Sequence, residues 1–418
     1  MPSMTDFLAE LTWRGLQQDR SEGLEERLAG GPISAYVGFD ASGPSLHVGH
    51  LVPLMALVHL QRHGGRPVAV IGGGTGMIGD PSGKSAERVL LTVDQVDANA
   101  TSIRAQLERF LDFEAGPAQA TMVDNREWLT TYHLLDYLRD IGKHFTISAM
   151  LEKDSVQQRL GSGLSFTEFS YQTLQATDFL HLYRDRGVEM QMGGADQWGN
   201  IAAGISLIRR VTGNAAHGVS QPLLLTSDGR KMGKTEAGSV MLDATITSPY
   251  AFYQYWLNAD DADVEVLLTR LTLLPRDQIQ GILAEQAADP GKRPGQRAFA
   301  FDLTARIHGR AEADRQVRVA AAAFSGEPVT DPEVLDVLFR EVAGYTWNGE
   351  GSDVVSLAVD SGLFSSRGEA RRAITQGGMS VNGIRVASVD DPLPEAVGGR
   401  YHVLRQGRKR LVVVRRAG

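Results

Sequence analysis

The chain of 418 residues contains no cysteine, which excludes disulfides and thiolate metal sites. It has no apolar run close to the roughly 20 residues needed to span a bilayer. Residues 1–20 carry early acids and lack the apolar core of a signal peptide. Long internal repeats and low-complexity tracts are also missing. We therefore expect a globular, cytoplasmic protein with no membrane segment.

The chain as a whole has no excess of positive charge, since its net charge is −8. This argues against a surface coated with nucleic acid. The charge is unevenly placed, however. Residues 353–418 carry 11 Arg and Lys against 6 Asp and Glu, a net charge of +5, so the remainder carries −13. A small basic module on an acidic body is typical of a polyanion-binding appendage, although a basic tail can also serve only solubility.

A hydrophobic fraction of 42% allows two or three domains with large cores. Residues 33–39 have the apolar character of a strand, and the periodicity from Ser45 to Arg62 predicts a helix with Ser45 as its N-cap. A second apolar run follows at 68–71. Strand, helix and strand in this order form a parallel unit. With a third strand at 120–123, the sequence predicts an α/β core.

His47 and His50 fall at the start of the predicted helix. There, free backbone N–H groups and the positive end of the helix dipole favour an anion, and two imidazoles add donors for phosphate oxygens. Gly49 between them leaves room for a flat ring. These features suggest a nucleotide site. Taken alone, two histidines are more often exposed polar residues or a chance metal pair, because short motifs give many false positives.

The glycine-rich run at 72–85 contains two misleading matches. Residues 74–79 fit the spacing of a dinucleotide fingerprint, but the following Asp-Pro-Ser-Gly interrupts the helix that should open there. Residues 79–85 nearly match a phosphate loop, but the two glycines stand one residue too close. We expect instead that the glycines bring the backbone near a ligand and that Asp80 faces a cationic group such as an α-ammonium.

A helical pattern runs from Trp128 to Arg139. Residues 166–180 are predicted to form one helix, on which Tyr171, Gln175 and Asp178 share a face. A polar stripe on a helix is usually solvated. Here apolar residues surround it, which favours the wall of a polar pocket. The strand-to-helix turn that follows offers three more ligand side chains: Gln191, Asp196 and Gln197.

The remaining chain divides by composition. Residues 248–324 have helical patterns throughout, and residues 344–352 have the composition of a linker. Short helices and strands follow. The predicted domains are therefore a catalytic α/β domain, a helical domain, a linker and a small α+β domain, at residues 1–247, 248–343, 344–352 and 353–418.

Two distant motifs carry a family resemblance. HVGH at 47–50 and KMGKT at 231–235 resemble the two signatures of class I aminoacyl-tRNA synthetases. Four further stretches and the S4-like terminal segment resemble bacterial tyrosyl-tRNA synthetases over essentially the whole length: YVGFD at 36–40, GDPSGKS at 79–85, SFTEFSYQTLQATDF at 165–179 and GGADQWGN at 193–200.

The resemblance implies a Rossmann-like catalytic domain, a helical tRNA-side domain and an S4-like RNA-binding domain. It implies a tyrosine--tRNA ligase: tyrosine and ATP give tyrosyl-adenylate and pyrophosphate, and the tyrosyl group then passes to the 3′ end of tRNA(Tyr). ATP and Mg²⁺ are the implied small-molecule requirements, with no metal-ligating side chains assigned. A homodimer is also implied, through parts of residues 125–160.

Site roles follow from the resemblance position by position. The implied tyrosine ligands are Tyr36 and Asp178 at the phenolic hydroxyl, Asp80, Tyr171 and Gln175 at the ammonium, and Gln191. The implied ligands of ATP and of the other polar groups are Gly38, Asp40, Gly49, Asp196, Gln197 and Met232. The implied catalytic residues are Ser42, His47 and His50 on the phosphates, and Lys84, Arg88, Lys231 and Lys234 on the leaving pyrophosphate.

Some positions depart from the commonest pattern of the family. Ser42 stands where Thr is usual and keeps the hydroxyl, Pro53 sits early in the signature helix, and Gly233 replaces the serine of the general KMSKS form. Two alternatives stay open at this point. One is a tryptophanyl enzyme, which shares the fold and signatures, and the other is an RNA-binding protein with an inactive catalytic half.

Overall fold

The computed structural model describes residues 4–82, 90–153, 156–157, 160–161, 163–235, 238–324, 326–348, 353–407 and 410–417. The chain forms two compact units. The first combines Met1–Thr247 with Ala259–Phe299, and the second combines Ser248–Asn258 with Ala300–Gly418. The units therefore divide at residue 248, where the helical region was predicted to begin, but residues 259–299 belong to the first unit.

The first unit is built on a sheet of five strands: β1 Ser34–Asp40, β2 Arg66–Gly72, β3 Thr121–Asp124, β4 Met190–Gly194 and β5 His217–Gln221. They lie in the order β3-β2-β1-β4-β5, and each pairs with its neighbours in parallel. Strand β2 is buried almost throughout, which explains its short apolar run without alternation. The predicted α/β class with a parallel sheet is confirmed.

Strand β1 lies at the point where the strand order reverses. Strands β2 and β3 continue on one side of it, and β4 and β5 on the other. In register, Tyr36 of β1 lies opposite Val68 on β2 and Gln191 on β4. At such a switch point the loops that leave neighbouring strands run apart and open a crevice beyond the carboxyl ends. The topology alone therefore favours a ligand site next to β1.

The helices, in chain order, are α1 Met4–Trp13, α2 Leu24–Ala29, α3 Leu51–Arg62, α4 Val93–Leu107, α5 Arg126–Leu129, α6 Leu134–Asp140, α7 Ile147–Leu151, α8 Phe166–Arg186, α9 Trp198–Thr212, α10 Pro249–Leu257, α11 Val264–Leu271, α12 Arg276–Ala288, α13 Pro294–His308, α14 Arg310–Phe324, α15 Pro332–Glu341, α16 Val354–Asp360 and α17 Arg367–Thr375. Helix α3 connects β1 to β2 and is apolar and buried over most of its length. None of the described helices is long and apolar enough to cross a membrane.

Helix α8 carries the predicted polar stripe and is held firmly at both ends. The Ser165 hydroxyl accepts a hydrogen bond from the Glu168 N–H at its start, and Gly187 ends it with a φ of 63°. Against its middle packs α9, where a Cβ added at Gly204 would lie 2.8 Å from the Phe179 ring. This close contact fixes the face that α8 presents to the sheet.

The helix predicted from Trp128 to Arg139 is instead two short helices, α5 and α6. Between them, the Thr130 hydroxyl donates to the Arg126 carbonyl at 2.8 Å and the Thr131 hydroxyl donates to the Trp128 carbonyl at 2.7 Å. Hydroxyls that bond to the preceding turn in this way compete with the helical ladder. The prediction of one continuous helix was therefore wrong.

The second unit contains a mixed sheet of five strands: β8 Gly344–Trp347, β9 Met379–Val381, β10 Ile384–Arg385, β11 Tyr401–Gln406 and β12 Arg410–Arg416. Their order is β10-β9-β11-β12-β8. One face packs on α16 and α17 through residues such as Leu357, Ile374 and Leu404. The other face packs on α14 and α15 through residues such as Leu338 and Val403. The C-terminal sheet is therefore covered on both faces.

Half of the predicted linker is part of this sheet. Gly344–Trp347 form β8, which pairs in parallel with β12. Tyr345 and Trp347 are partly buried and pack against the core of the sheet, because alternate residues of a strand share a face. Glycine content suggested a linker, but two aromatic residues at alternate positions form a strand.

Candidate active site

A cavity of about 440 Å³ lies beyond the carboxyl ends of β1 and β4, at the switch point of the sheet. Its size is in the usual range for small-molecule sites. The predicted site residues that line it are Tyr36, Gly38, Asp40, Ser42, His47, Gly49, His50, Asp80, Tyr171, Gln175, Asp178, Gln191, Asp196, Gln197, Lys231, Met232 and Lys234. Lys84 and Arg88 lie outside the described residues.

Tyr36 and Asp178 form a deeply buried part of the cavity, with 1% and 3% of their surfaces exposed. The Asp178 carboxylate accepts hydrogen bonds from the indole N–H of Trp128 at 2.8 Å and from the Asn125 amide at 2.9 Å. The Tyr36 hydroxyl is buried and has no hydrogen-bond partner among the residues that the structure describes. A buried hydroxyl without a partner is costly, which suits a site completed by a ligand.

Burial shifts the pKa values of both groups. It raises the pKa of Asp178 to about 7, although the hydrogen bonds from Asn125 and Trp128 act in the opposite direction. Burial also raises the pKa of Tyr36 well above its ordinary value, and the nearby charge of Asp178 raises it further. Tyr36 therefore keeps its proton, while Asp178 changes charge near neutral pH.

Gln191 adds a second unsatisfied group to the cavity wall. It lies on β4, directly opposite Tyr36 in the register of the sheet. Its side-chain oxygen is buried, and no atom in the described part of the chain forms a hydrogen bond with it. Two neighbouring strands thus each present a polar atom that only a ligand or solvent can satisfy.

Asp40 and Tyr171 meet in another part of the same cavity. The Tyr171 hydroxyl donates to Asp40 Oδ2 at 2.9 Å, and the Thr75 hydroxyl donates to Asp40 Oδ1 at 2.7 Å. Burial raises the pKa of Tyr171 well above its ordinary value, and the charges of Asp40 and Asp80 add to this. Two carboxylates around one buried hydroxyl create a negative environment that favours a bound cation.

A chain of amide hydrogen bonds orients the residues between α8 and α9. The Gln197 amide donates to Asp80 Oδ2 at 2.7 Å, and the Asn200 amide donates to the side-chain oxygens of Gln197 and Gln175, both at 3.0 Å. Asp80 also accepts from the backbone N–H of Ser82 at 2.9 Å. Four side chains from three segments are therefore set in one arrangement before a ligand binds.

The glycine-rich run approaches protein carboxylates at the positions where it is tightest. A Cβ added at Gly72 would lie 2.2 Å from Asp40 Oδ1, and one at Gly73 would lie 2.3 Å from Asp124 Oδ1. Gly72 also lines the cavity, so the expectation that these glycines bring the backbone close to a ligand stays a prediction. They make room for acidic side chains, and through Gly72 they allow Asp40 to reach the cavity.

The two signature histidines cap their own helix start. The N-cap is His47, not Ser45 as predicted, and the first turn, Val48–His50, is a 3₁₀ turn. His47 Nδ1 accepts from the Gly49 N–H at 3.0 Å, and His50 Nδ1 accepts from the His47 N–H at 3.1 Å. Since Nδ1 is the acceptor in each ring, the neutral imidazoles carry their proton on Nε2. The rings stack 3.9 Å apart.

Ser45 has a different structural function. Its hydroxyl accepts from the Asp243 N–H at 3.1 Å and lies 3.2 Å from the side-chain oxygen of Gln106 on α4. The same Gln106 oxygen accepts from the Leu46 N–H at 3.0 Å. Ser45 is buried, and it is not one of the described residues that line the cavity. Its hydrogen bond with Asp243 connects the residues just before His47 to the segment that follows the second signature.

Lys231 and Lys234 belong to a short loop that includes the hairpin β6 Lys234–Thr235 and β7 Gly238–Ser239. Both lysines are exposed and line the cavity, together with the two histidines. The cavity therefore combines imidazoles and ammonium groups with the carboxylates of Asp40, Asp80 and Asp178. Such a polarity suits a ligand with a cationic end and a phosphate end.

Sequence reasoning missed the groups that hold Asp178. One of these groups is Asn125, which connects three residues. Its side-chain oxygen accepts a hydrogen bond from the Gly74 N–H at 2.8 Å, and its amide donates to both Thr75 and Asp178. Asn125 directly follows β3 at the carboxyl edge of the sheet, a position from which it could have been found. Trp128 offers no comparable signal, because its position within a helical pattern is typical of an ordinary helix residue.

Two family models match this chain, one over its larger N-terminal part and one over its C-terminal part. Residues 28–325 match the family model described as "tRNA synthetases class I (W and Y)". Residues 334–414 match the model of the "Tyrosine--tRNA ligase SYY-like C-terminal domain". Together these matches span most of the sequence.

Curated relatives and solved structures agree with this assignment. A tyrosine--tRNA ligase of Anaeromyxobacter dehalogenans is 49% identical over 99% of this chain and 100% of its own length. One from Geobacillus stearothermophilus is 42% identical with the same coverage. The structure is similar to a C-terminally truncated mitochondrial tyrosyl-tRNA synthetase of Aspergillus nidulans, with a TM-score of 0.69, 30% identity, and coverage of 76% of this chain and 94% of that one.

Proposed function

Because the chain belongs to the tyrosine--tRNA ligase family of class I aminoacyl-tRNA synthetases, we propose that its cavity activates L-tyrosine with ATP and transfers it to the 3′ end of tRNA(Tyr). The observation that carries this proposal is the unsatisfied, buried hydroxyl of Tyr36 in the pocket of Asp178. A phenolic hydroxyl both donates and accepts, so it can accept a hydrogen bond from Tyr36 and donate one to Asp178 at the same time. An indole, the substrate of the tryptophanyl alternative, offers only a donor.

The tyrosine ammonium is proposed to lie against Asp80, Tyr171 and Gln175. The negative charge shared by Asp40 and Asp80 supports this placement. The hydrogen bonds from Gln197 and Ser82 hold the Asp80 carboxylate in one orientation. A charged acceptor that is already oriented strengthens the hydrogen bond to an ammonium. Gln191 is proposed as a further tyrosine ligand through its unpaired oxygen.

The nucleotide is proposed to occupy the remaining cavity, with its phosphates near Ser42, His47 and His50. The Nε2 protons of the two histidines are suited to donate to phosphate oxygens. Gly38 is exposed on the cavity wall, and a Cβ built there would have no atom within 4 Å, which leaves space for a flat ligand group. The other proposed ligands of this part are Asp40, Gly49, Asp196, Gln197 and Met232.

Activation needs no covalent enzyme intermediate. A carboxylate oxygen of tyrosine attacks the α-phosphorus, the bond from phosphorus to the bridging oxygen breaks, and pyrophosphate leaves with the electron pair. The protein contributes position and stabilises charge on phosphoryl oxygens. We assign the leaving pyrophosphate to Lys231 and Lys234, with Lys84 and Arg88 as further candidates from the sequence.

Mg²⁺ is proposed to enter with the phosphates of ATP, as part of the substrate. Among the described residues, no group of three or more His, Cys, Asp or Glu side chains could hold a metal ion. Magnesium commonly keeps several waters and binds through substrate phosphates rather than a cage of protein ligands. We therefore assign no step of the reaction to a protein-bound metal.

The transfer step requires tRNA, for which the basic C-terminal part is the proposed contact. A homodimer is proposed through residues 125–160. Four apolar side chains of this segment are strongly exposed, at 49–77% of their surfaces: Leu134, Leu135, Leu138 and Ile147. An exposed apolar group of this kind typically marks a protein interface. The cytoplasmic location and the functions of the predicted domains also stay proposals.

Tyrosine-dependent exchange of pyrophosphate into ATP tests the proposal directly. The full chain should catalyse the exchange with L-tyrosine and neither with L-phenylalanine nor with L-tryptophan. The variant Tyr36→Phe should keep the exchange but bind tyrosine about tenfold more weakly, because one hydrogen bond to the hydroxyl is lost. No exchange with any amino acid would instead support an RNA-binding protein with an inactive catalytic half.

A further inference from the structure

The two signature segments lie close together at Val48 and Gly233. Gly233 has a φ of +84°, and a Cβ built on it would lie 2.1 Å from Cγ2 of Val48. Carbon atoms in contact normally stand about 3.5–4.0 Å apart. Val48 is buried, with 1% of its surface exposed. No side chain therefore fits at position 233 unless Val48 or the lysine loop moves.

Backbone hydrogen bonds hold the two segments at this distance. The Val240 N–H donates to the Gly233 carbonyl at 2.7 Å, and the Val48 N–H donates to the Val240 carbonyl at 3.2 Å. The Leu242 N–H donates to the Leu46 carbonyl at 2.9 Å. The loop cannot slide away from Val48 without losing some of these bonds, so a larger residue at 233 would displace the flanking lysines.

We propose that Val48 is a positioning residue for tyrosyl-adenylate formation. Its side chain sets how close the loop with Lys231 and Lys234 lies to His47 and His50, and it does so through contact with Gly233. This inference rests on the proposed function, since the spacing matters only if phosphates bind between these groups. The contact with Val48 also gives a steric reason why position 233 is a glycine, in addition to the positive φ of its backbone.

The alternative is that Gly233 is a glycine only because of its positive φ, which disfavours a Cβ. The same loop provides a matched control for that effect. Gly229 also has a φ of +84°, but a Cβ built there has no described atom within 4 Å apart from its chain neighbours. Alanine at 229 or 233 introduces the same backbone strain. Alanine at 233 alone also meets Val48.

The experiment measures single-turnover formation of tyrosyl-adenylate by the full chain at saturating tyrosine and ATP. Equilibrium dialysis of L-tyrosine serves as the second readout. Gly229→Ala should slow the step by no more than about threefold, and Gly233→Ala by about thirtyfold or more, a difference that corresponds to displaced transition-state contacts. Tyrosine affinity should stay within about twofold in both variants, because the tyrosine ligands lie elsewhere in the cavity.

Rescue separates contact from strain. In the Gly233→Ala background, Val48→Ala removes the clashing carbon and should restore at least about tenfold in rate. Val48→Thr keeps the branched shape and should restore nothing. Equal losses at 229 and 233, equal effects of the two Val48 substitutions, or loss of tyrosine binding in the rescued variant would each overturn the inference. Absence of pyrophosphate exchange in the parent would instead refute the proposed function.

Discussion

The ionisation of Asp178 predicts how tyrosine binding depends on pH. The carboxylate is buried, its pKa is raised to about 7 by burial, and it lies in the pocket proposed for the phenolic hydroxyl. The substrate O–H donates best to a charged acceptor. Tyrosine should therefore bind most tightly to the form in which Asp178 is ionised, which is the minor form at acidic pH.

The sign and size follow from the pKa. For a pKa of about 7, the ionised fraction falls about 25-fold between pH 7.5 and pH 5.5, so the affinity for tyrosine should fall by a similar factor. Stability changes in the opposite direction. The pKa of Asp178 in the folded protein lies above the ordinary 3.8. The free energy of unfolding of the ligand-free protein should therefore be highest below about pH 4. It should fall by about 4 kcal/mol as the pH rises to about 7.

Calorimetric titration of L-tyrosine into the full chain without ATP, from pH 5.5 to pH 7.5, measures the effect. Asp178→Asn is the control, since it keeps the shape of the side chain and removes its titration. That variant should bind tyrosine weakly and with little change across the range. A flat affinity profile in the parent, or the same slope in the variant, would show that Asp178 is not the group that controls binding.

Three further predictions concern other parts of the site and the C-terminal unit. Lys234→Ala should slow adenylate formation by about a hundredfold or more while tyrosine affinity changes little, because the loop stabilises charge that develops in the transition state; rapid-quench and dialysis measurements separate the two. Trp128→Phe removes the 2.8 Å hydrogen bond to Asp178 and should weaken tyrosine binding about tenfold, with a pH midpoint above that of the parent. The double substitution Arg400→Gln and Arg416→Gln should reduce the salt slope of tRNA binding by about 1.5 and leave pyrophosphate exchange unchanged; an unchanged slope would move the tRNA contact away from this surface.

The parallel core could be predicted because its signals are local. The apolar runs of β1 and β2 and the apolar periodicity of α3 lie next to each other in the chain, and a right-handed crossover leaves few ways to connect them. Strands β1, β2 and β3 were predicted within one or two residues of their observed bounds, whereas β5 was not predicted. The site residues followed from spacing on α8 and from the resemblance of the signature motifs.

The errors concern residues whose partners are distant in sequence. Ser45 has the side chain of an N-cap, but Gln106, some sixty residues away, and Asp243, almost two hundred residues away, take its hydrogen bonds. His47 caps the turn in its place. Gly72 lines the cavity, but its close contact with Asp40 is not visible in the sequence. A single sequence carries no signal for such pairings, since each residue is compatible with its local alternative.

The C-terminal unit shows why charge substitution tests tRNA binding better than truncation. Composition placed a linker at 344–352 and suggested that residues 353–418 could be removed as a separate module. However, β8 pairs with β12, and Leu335 and Leu338 of α15 pack in one core with Tyr401, Val403 and Val413 of the terminal strands. Removing the module would expose that core, at about 25 cal/mol for each Å² of apolar surface, and would unfold α14 and α15 together with the sheet. A loss of tRNA charging after truncation would then report on folding. Exposed arginines at the ends of β11 and β12 can be neutralised with the core intact, so only their substitution isolates the electrostatic contribution.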